Sequence, residues 1–383
     1  IRRLAYLQKV RDGEVKATPL LPGALKTYGD IKLNFADTLG EKLSIGLPAV
    51  DPALQKSINS IFPNLDESYS IALLDITPGR PVRYAKRKEN VGFQPGSVGK
   101  LAVIVALFDQ LAKRYPDSFE KRIELLKNTT VKAGSWAVPN EHVVPFYVPE
   151  TGQYYKRLVL ESDSLSLFEW ADHMLSVSSN AAASVVWREV LLMSAFGEEY
   201  PVSKERADVY IKSTPKGQLS LKAIALVNDP LREMGITEDE WRLGSFFTRG
   251  ATNIVPRSGG SIGTPVGLMK FLIAMESGKI IDEESSLEIK RLMYMTDKRI
   301  RYAAAGVLNN AAVYFKSGSL YSCKAEEGFT CTKYHGNVVN FMNSVAIVEH
   351  PDGTTYLVVL MSNVLKKNSS GDHYGLASQI DKI

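Results

Sequence analysis

The sequence lacks the long apolar segment and the cysteine clusters that mark membrane-spanning and zinc-binding proteins. Its longest apolar run, Leu101–Phe108, is far shorter than the roughly 18 residues that a transmembrane helix needs. The chain has only 2 cysteines, Cys323 and Cys331, too few for a cysteine-rich zinc site. Their short separation is compatible with a disulfide that closes a loop, which suits an exported protein, and equally with two reduced thiols.

Clusters of histidine and of basic residues are also missing. No His-Glu-x-x-His motif occurs, and the 5 histidines are scattered, at His142, His173, His335, His350 and His373. Lys and Arg exceed Asp and Glu by only 4, and no basic block is interleaved with aromatic residues. We therefore expect no metal, no cofactor and no nucleic-acid partner.

The overall composition is that of an ordinary globular protein. Hydrophobic residues make up 45% of the 383 positions and charged residues 23%. A chain of this length forms one large domain or two intertwined ones, with a sizeable core.

The most informative segment is Ser97-Val98-Gly99-Lys100, at the start of an apolar stretch that predicts a buried helix. Positions three apart on a helix share a face, so the Lys100 amine can reach the Ser97 hydroxyl. A buried lysine is more readily neutral and can then act as a base, which is one way to activate a serine nucleophile. The pattern is short, and an N-cap serine followed by a solvated lysine is the ordinary alternative.

Two further short motifs follow in a defined order. Ser178-Ser179-Asn180 has the form Ser-x-Asn, and Lys316-Ser317-Gly318 has the form Lys-Ser/Thr-Gly. Each has an ordinary alternative, because Ser178 and Asn180 favour helix N-caps and Lys316 is compatible with a solvated strand position. Other motifs fail: a phosphate-binding loop needs Gly at position 94, where Gln94 stands, and a Gly-x-Ser-x-Gly elbow needs Gly at Pro95.

Hydrophobic periodicity places strands near both ends of the chain and helices in the middle. Strands are predicted at 69–76, 81–85, 312–320, 340–349 and 354–364. Helices are predicted at 53–62, 97–112, 166–174, 180–193, 265–279 and 283–295 and in the tail from 374, with an insertion of charged helices at 194–240 and a loop at 242–263. From 115 onward the middle of the chain is predicted to be mainly helical. The terminal strands must therefore meet in one sheet, with the helical segment inserted as a second lobe.

The three motifs in this order resemble those of class A β-lactamases and related penicillin-recognising serine hydrolases. The resemblance runs from about Asp51 to the C-terminus, and Leu243–Arg249 resembles the start of that family's Ω-loop. It implies an α/β (α+β) fold with a five-stranded antiparallel sheet, terminal helices and an inserted helical lobe. The expected division is an N-terminal extension at 1–50, a sheet lobe at 51–96 and 265–383, and a helical lobe at 97–264, with the active-site cleft between the lobes.

The resemblance also implies roles for the motif residues. Ser97 would attack a carbonyl carbon, Lys100 would take its proton, and Ser178 would relay a proton to the leaving nitrogen. Asn180 would hold a substrate amide, and Lys316 would attract a substrate carboxylate. The family's oxyanion hole would be formed here by the backbone N–H groups of Ser97 and Ser319, and the remaining substrate-binding positions are Ser317 and Gly318.

One family feature is missing. Class A β-lactamases carry a glutamate in the Ω-loop that activates the deacylating water, but here no Asp or Glu occurs between Glu240 and Glu276. A carboxylate is the natural base for that water near neutral pH, so we expect slow or atypical deacylation. Trp136 and Tyr147 are candidate aromatic residues of the cleft wall, with simple core packing as the alternative.

The resulting prediction is a serine hydrolase that forms an acyl-enzyme on a β-lactam, acyl-peptide or ester. The alternatives are a D-alanyl-D-alanine carboxypeptidase or penicillin-binding protein, an acylated sensor or binding module without turnover, and an enzyme that transfers the acyl group to an acceptor other than water. We expect an exported monomer without stable membrane insertion. The chain begins with Ile1 rather than Met, which is compatible with a removed export signal.

Overall fold

The computed structural model describes residues 1–35, 43, 46–295 and 299–383. Part of the expected N-terminal extension, residues 36–42, 44 and 45, lies outside the described residues. The helices are α1 Arg2–Arg11, α2 Pro52–Asn59, α3 Lys100–Arg114, α4 Phe119–Asn128, α5 Leu167–Ser176, α6 Asn180–Phe196, α7 Lys204–Ser213, α8 Lys216–Glu233, α9 Arg249–Thr252, α10 Pro265–Glu276, α11 Glu283–Met293 and α12 Ser370–Asp381. The strands are β1 Ser70–Asp75, β2 Arg83–Arg87, β3 Thr130–Lys132, β4 Val144–Val148, β5 Gln153–Arg157, β6 Ser164–Ser166, β7 Trp241–Arg242, β8 Ile262–Gly263, β9 Ala312–Ser322, β10 Val339–Glu349 and β11 Thr355–Asn363.

The chain divides into two compact units, each described here by itself. The helical unit comprises Ile1–Pro19, Lys100–Glu233 and Leu243–Ser261. The sheet unit comprises Leu20–Gly99, Met234–Arg242 and Ile262–Ile383.

The sheet unit is built on one five-stranded sheet with the strand order β2-β1-β11-β10-β9. All neighbouring strands are antiparallel, as the resemblance implies. The long β10–β11 hairpin turns at Pro351-Asp-Gly353, a turn sequence that favours tight reversal. Of the nine residues of β11, only the last is not buried, so this strand lies in the core of the unit.

The helical unit is organised around α3 and α6, most of whose residues are buried. Serine side chains cap the N-termini of α5 and α6, the two helices on either side of Ser178. The Ser166 hydroxyl accepts a hydrogen bond from the Glu169 N–H at the start of α5, and the Ser179 hydroxyl accepts one from the Ala182 N–H at the start of α6. Two buried tryptophans, Trp170 and Trp187, donate their indole N–H groups to backbone carbonyls, which satisfies their one polar group.

Three local expectations from the sequence need correction. The helix predicted from Ser97 begins at Lys100, because Gly96–Gly99 forms a 3₁₀ turn instead. The region after 115, predicted to be mainly helical, contains four short strands, including the β4–β5 hairpin around Thr151-Gly152. Aromatic residues on both sides of that turn, with Val144 and Val148 before it, carry the strand signal. The C-terminal helix begins at Ser370, earlier than the predicted 374.

The two cysteines are joined in a disulfide, Cys323–Cys331, in the loop between β9 and β10. Of the alternatives that the sequence left open, the paired one is therefore present. Among the described residues, no helix has both the length and the apolar composition to cross a bilayer.

Candidate active site

Lys100 and Ser178 come together inside the helical unit although they are 78 positions apart. The Lys100 amine donates to the Ser178 carbonyl oxygen at 2.7 Å and lies 3.1 Å from the Ser178 hydroxyl oxygen. Lys100 is completely buried, the first residue of α3. The ordinary alternative of a solvated lysine is thus wrong for this position.

Ser178 lies in a strained turn between α5 and α6. Its φ is 57°, in the left-handed region that few non-glycine residues adopt. The next residue, Ser179, donates its backbone N–H to the His173 carbonyl at 3.1 Å, which ties the turn to the end of α5. The N-cap role falls on Ser179, so the Ser178 hydroxyl is available to Lys100, and Asn180 is the half-buried first residue of α6.

An aromatic segment also lines the Lys100 side of the helical unit. The Lys100 amine lies 5.3 Å from the centre of the Phe247 ring, within range of a cation–π interaction. Phe246, next to it, stacks on Trp187 with ring centres 4.0 Å apart. Thr248 donates its hydroxyl to the Trp136 carbonyl at 2.5 Å, which fixes the segment against the unit's core.

The candidate wall residues Trp136 and Tyr147 are packed in the helical unit. Trp136 contacts Phe246 with ring centres 5.6 Å apart, and Tyr147 contacts Tyr6 of α1 at 5.4 Å. Both side chains are buried. Core packing, the alternative that the sequence left open, therefore describes their surroundings.

Ser97 lies in the sheet unit, in the 3₁₀ turn Gly96–Gly99. The Asn343 side chain of β10 fixes the residues just before this turn. Its amide N–H groups donate to the carbonyls of Gln94 at 2.9 Å and Pro95 at 3.1 Å. Ser97 is half-buried, and its backbone lies against Gly318 of the strand that carries the third motif.

Two glycines allow that strand and the Ser97 turn to approach closely. A Cβ atom on Gly318 would collide with the Pro95 carbonyl and lie 2.9 Å from the Ser97 nitrogen. A Cβ atom on Gly96 would lie 2.7 Å from the Ser319 nitrogen, and Gly96 also has a φ of +56°, which glycine adopts without strain. The backbones around Ser97 and Ser319 are thus adjacent, as two donors to one oxyanion require.

Lys316 is the central buried cation of this part of the sheet unit. Its side chain is 2% exposed, and its amine donates to the Ser317 carbonyl at 2.8 Å. Burial, helped by the positive charge of Arg301, lowers the pKa of Lys316 to about 7. The solvated alternative is therefore wrong here also, and Lys316 titrates near neutral pH.

Arg301 belongs to this cluster and was missed in the sequence. Its guanidinium donates to the Ser319 hydroxyl at 3.2 Å and lies 5.1 Å from the centre of the Tyr334 ring. Burial lowers the pKa of Arg301, and its φ is 53°. No local motif marks this arginine, since its importance arises only from the contact with a strand residue 18 positions away.

The structure thus groups the predicted residues in two sets. Lys100, Ser178 and Asn180 lie in the helical unit. The sheet unit holds the rest, namely Ser97, Lys316, Ser317, Gly318 and Ser319. Among the described residues, no group of three or more His, Cys, Asp or Glu side chains is arranged to hold a metal ion.

Comparisons with known proteins give the same family that the motifs resemble. Among solved structures, the chain is similar to PBP-A, at 13% identity and a TM-score of 0.55, over 88% of this chain and 97% of that chain. It is also similar to a β-lactamase from Chitinophaga pinensis DSM 2588, at 16% identity and a TM-score of 0.54, over 86% of this chain and 97% of that one. The TLA-3 extended-spectrum β-lactamase has 16% identity and a TM-score of 0.56, over 86% of this chain and 96% of that one. At such identities these likenesses show the fold alone.

No curated protein matches the sequence significantly. The profile of the Beta-lactamase enzyme family, in contrast, matches residues 53–380, which is most of the chain. Together with the five-stranded antiparallel sheet and the three ordered motifs, this match shows that the chain belongs to the Beta-lactamase enzyme family.

Proposed function

We propose that this protein is a serine hydrolase that forms an acyl-enzyme through Ser97 on a β-lactam or a related amide or ester. The observation that most supports this proposal is that Lys100 is fully buried and that its amine lies 3.1 Å from the Ser178 hydroxyl oxygen. A desolvated amine beside a hydroxyl can accept a proton and pass it on. In this proposal Lys100 takes the Ser97 proton, and Ser178 delivers a proton to the leaving nitrogen.

The remaining groups bind and polarise the substrate. The backbone N–H groups of Ser97 and Ser319 stabilise the oxyanion that forms when Ser97 attacks the carbonyl carbon. Lys316 and Arg301 attract a substrate carboxylate, and Asn180 holds a substrate amide with one donor and one acceptor. Ser317 and Gly318 shape the strand against which the substrate lies, and the reaction uses neither metal nor cofactor.

Deacylation is proposed to be slow. The stretch from Trp241 to Met275 contains no carboxylate, so the segment that resembles the Ω-loop supplies no such base for an attacking water. This same observation favours a second candidate function, a penicillin-binding protein or D-alanyl-D-alanine carboxypeptidase. A variant of PBP-A, one of the similar structures, has been captured as an acyl-enzyme with penicillin G. An acylated sensor or binding module that never turns over remains the third candidate.

We further propose a division into an extension at 1–50, a sheet lobe at 51–96 and 265–383, and a helical lobe at 97–264. The family match, which begins at residue 53, supports an extension before it. The disulfide Cys323–Cys331 supports an exported location, where such bonds persist. The proposed partner is a small-molecule substrate, bound by a monomer.

Intact-mass spectrometry tests the proposal. The protein is mixed with penicillin G or with a chromogenic cephalosporin and followed over time, with Ser97→Ala as control. A stable adduct that the variant loses supports acylation at Ser97 with slow deacylation. Rapid product without a lasting adduct would make the protein an efficient β-lactamase and refute slow deacylation. If neither an adduct nor a product forms, acylation by these β-lactams is refuted.

A further inference from the structure

A large cavity lies wholly within the helical unit. Its volume is about 1080 Å³, and neither Lys100, Ser178 nor Asn180 lines it. Sites for small molecules span roughly 300 to 1,000 Å³, so the space is ample for one. The inserted segment 202–216, which includes α7, forms part of the wall, and residues 130–136 around β3 form another part.

Six aliphatic residues line the cavity. They come from β3, α6, the segment before α7, α7 itself and the segment after α9, and are Val131, Leu192, Val202, Ala207, Ile211 and Ile254. Val131 and Leu192 are buried, whereas Ile211 of α7 is half-buried. This lining favours an apolar body over a fully hydrated solute.

The charged lining is predominantly basic. Five basic side chains, Lys132, Arg188, Lys204, Lys212 and Lys216, are present with only three acidic ones, Glu161, Glu189 and Asp208. Two of the acidic groups are already paired within the lining: Glu189 accepts from Arg188 at 2.8 Å, and Asp208 from Lys204 at 3.3 Å. The remaining charge therefore attracts an anion.

Hydrogen bonds within the fold hold the polar side chains at the buried end of the cavity. The Arg188 guanidinium donates to the backbone carbonyls of Ala133 at 2.8 Å and Lys132 at 2.7 Å. Glu189 also accepts a hydrogen bond from the Tyr200 hydroxyl at 2.8 Å, and both side chains are buried. A site whose polar groups are held by the fold loses little entropy when a ligand binds.

We propose that this cavity is a second binding site, for a small organic anion with an apolar body. Its apolar walls hold the body, and Lys132 and Lys212, both exposed on the lining, attract the anionic head. The site does not depend on the proposed acylation chemistry. It also gives the inserted segment 202–216 a role that acylation does not require.

Two fluorescent probes with the same ring system test the proposal on the full chain. 1-Anilinonaphthalene-8-sulfonate carries an anionic head, and N-phenyl-1-naphthylamine lacks it. We expect the sulfonate to bind at one site per chain and more tightly than the neutral probe. Lys132→Glu with Lys212→Glu should weaken sulfonate binding about tenfold or more, because two attractive charges become repulsive.

A matched double variant controls for net charge. Lys127→Glu with Lys156→Glu changes the same charge on the same unit at exposed positions that do not line the cavity, and should leave the affinity within about twofold. Ser97→Ala should leave sulfonate binding intact, and so should treatment with penicillin G once the free drug has been removed, so a failed acylation proposal and a failed second site are distinguishable. Loss of sulfonate binding in Ser97→Ala, equal weakening in both double variants, equal affinity for both probes, or no binding would overturn the proposal. Thermal melting of each variant verifies that it is folded.

Discussion

At the scale of single residues, three buried lysines differ because their neighbours differ. Lys290 is fully buried, and burial alone would lower its pKa, but the charges of Glu276 and Glu349, at 2.7 and 2.8 Å, raise it. For Lys316, burial and the positive charge of Arg301 lower the pKa to about 7. Lys100 contacts the Ser178 hydroxyl and the Phe247 ring. The environment, rather than the residue type, decides which lysine can act as a base.

Replacing Lys100 tests its proposed role as the proton acceptor. Lys100→Met keeps a side chain of similar length in this buried site but removes the amine. We expect acylation of Ser97 by penicillin G to slow by about 10² to 10⁴-fold, the usual contribution of a general base. The rate of adduct formation by intact mass measures this. Lys113→Met, at an exposed position on the same helix, is the matched control and should acylate at the wild-type rate; an equal rate for Lys100→Met would contradict the role.

The lowered pKa of Lys316 predicts that the free energy of unfolding depends on pH. Between pH 7 and the unfolded pKa of 10.5 this lysine is neutral in the folded chain but protonated in the unfolded chain. The unfolded state then binds more protons, so the free energy of unfolding rises with pH across this window. Relative to Lys316→Met, the wild type should gain stability as the pH rises above 7, on the order of 1 kcal/mol per pH unit. Urea denaturation at several pH values checks this, with Lys127→Met as control. A constant difference from pH 7 to 9 would show that Lys316 does not titrate there.

At the scale of elements, α1 is anchored in the helical unit by one buried ion pair. The Arg3 guanidinium donates to both carboxylate oxygens of Asp172 on α5, at 2.7 and 2.8 Å. Burial opposes the charge of Asp172, but the charge and hydrogen bonds of Arg3 outweigh it and lower the pKa of the carboxyl group. Tyr6 adds a stacked contact with Tyr154, with ring centres 3.8 Å apart. Because α5 ends at the turn that carries Ser178, this anchor supports the geometry of the second motif.

Neighbouring arginines on α1 supply a matched test of this anchor. Arg3→Met leaves the buried Asp172 charge without its partner and should lower the free energy of unfolding by about 3–5 kcal/mol. Arg2 pairs with Glu169 but its side chain is 44% exposed, so Arg2→Met should cost less than about 1 kcal/mol. Chemical denaturation of both variants measures the difference. Equal losses in the two variants would mean that the buried pair has no special role. The double variant Arg3→Met with Asp172→Leu removes both charges and should recover most of the stability that Arg3→Met loses.

At the scale of the whole molecule, the missing carboxylate has a chemical consequence for the acyl-enzyme. If water lacks a base, then a stronger nucleophile that needs none should remove the acyl group faster. We expect hydroxylamine to shorten the lifetime of the penicillin adduct on Ser97. Sodium chloride at the same ionic strength should leave that lifetime unchanged. Intact-mass spectrometry of the isolated adduct measures both rates. Equal lifetimes would show that deacylation is limited by access to the ester rather than by the absence of a base.

The sequence alone predicted much of the architecture because its signals are local. A turn sequence and segments rich in strand-forming residues predicted β9, β10 and β11 nearly to their ends, and apolar spacing predicted α6 and α10. The order of the three motifs indicated the family that the comparison then showed. The hairpin of β4 and β5 was missed although its signal was present. The start of α3 was misplaced because the four residues Gly96–Gly99 are too few to distinguish the period of a 3₁₀ turn from that of an α-helix.

Tertiary structure decided what local pattern cannot express. Whether Lys100 and Lys316 are solvated or buried depends on residues far away in the chain, and so does the contact of Lys100 with Ser178 across 78 positions. The contact of Arg301 with Ser319 and the cavity beside α7 likewise arise from packing. The physical reason is that residue type sets which chemistry a side chain can perform, whereas desolvation and neighbouring charges set which form it takes.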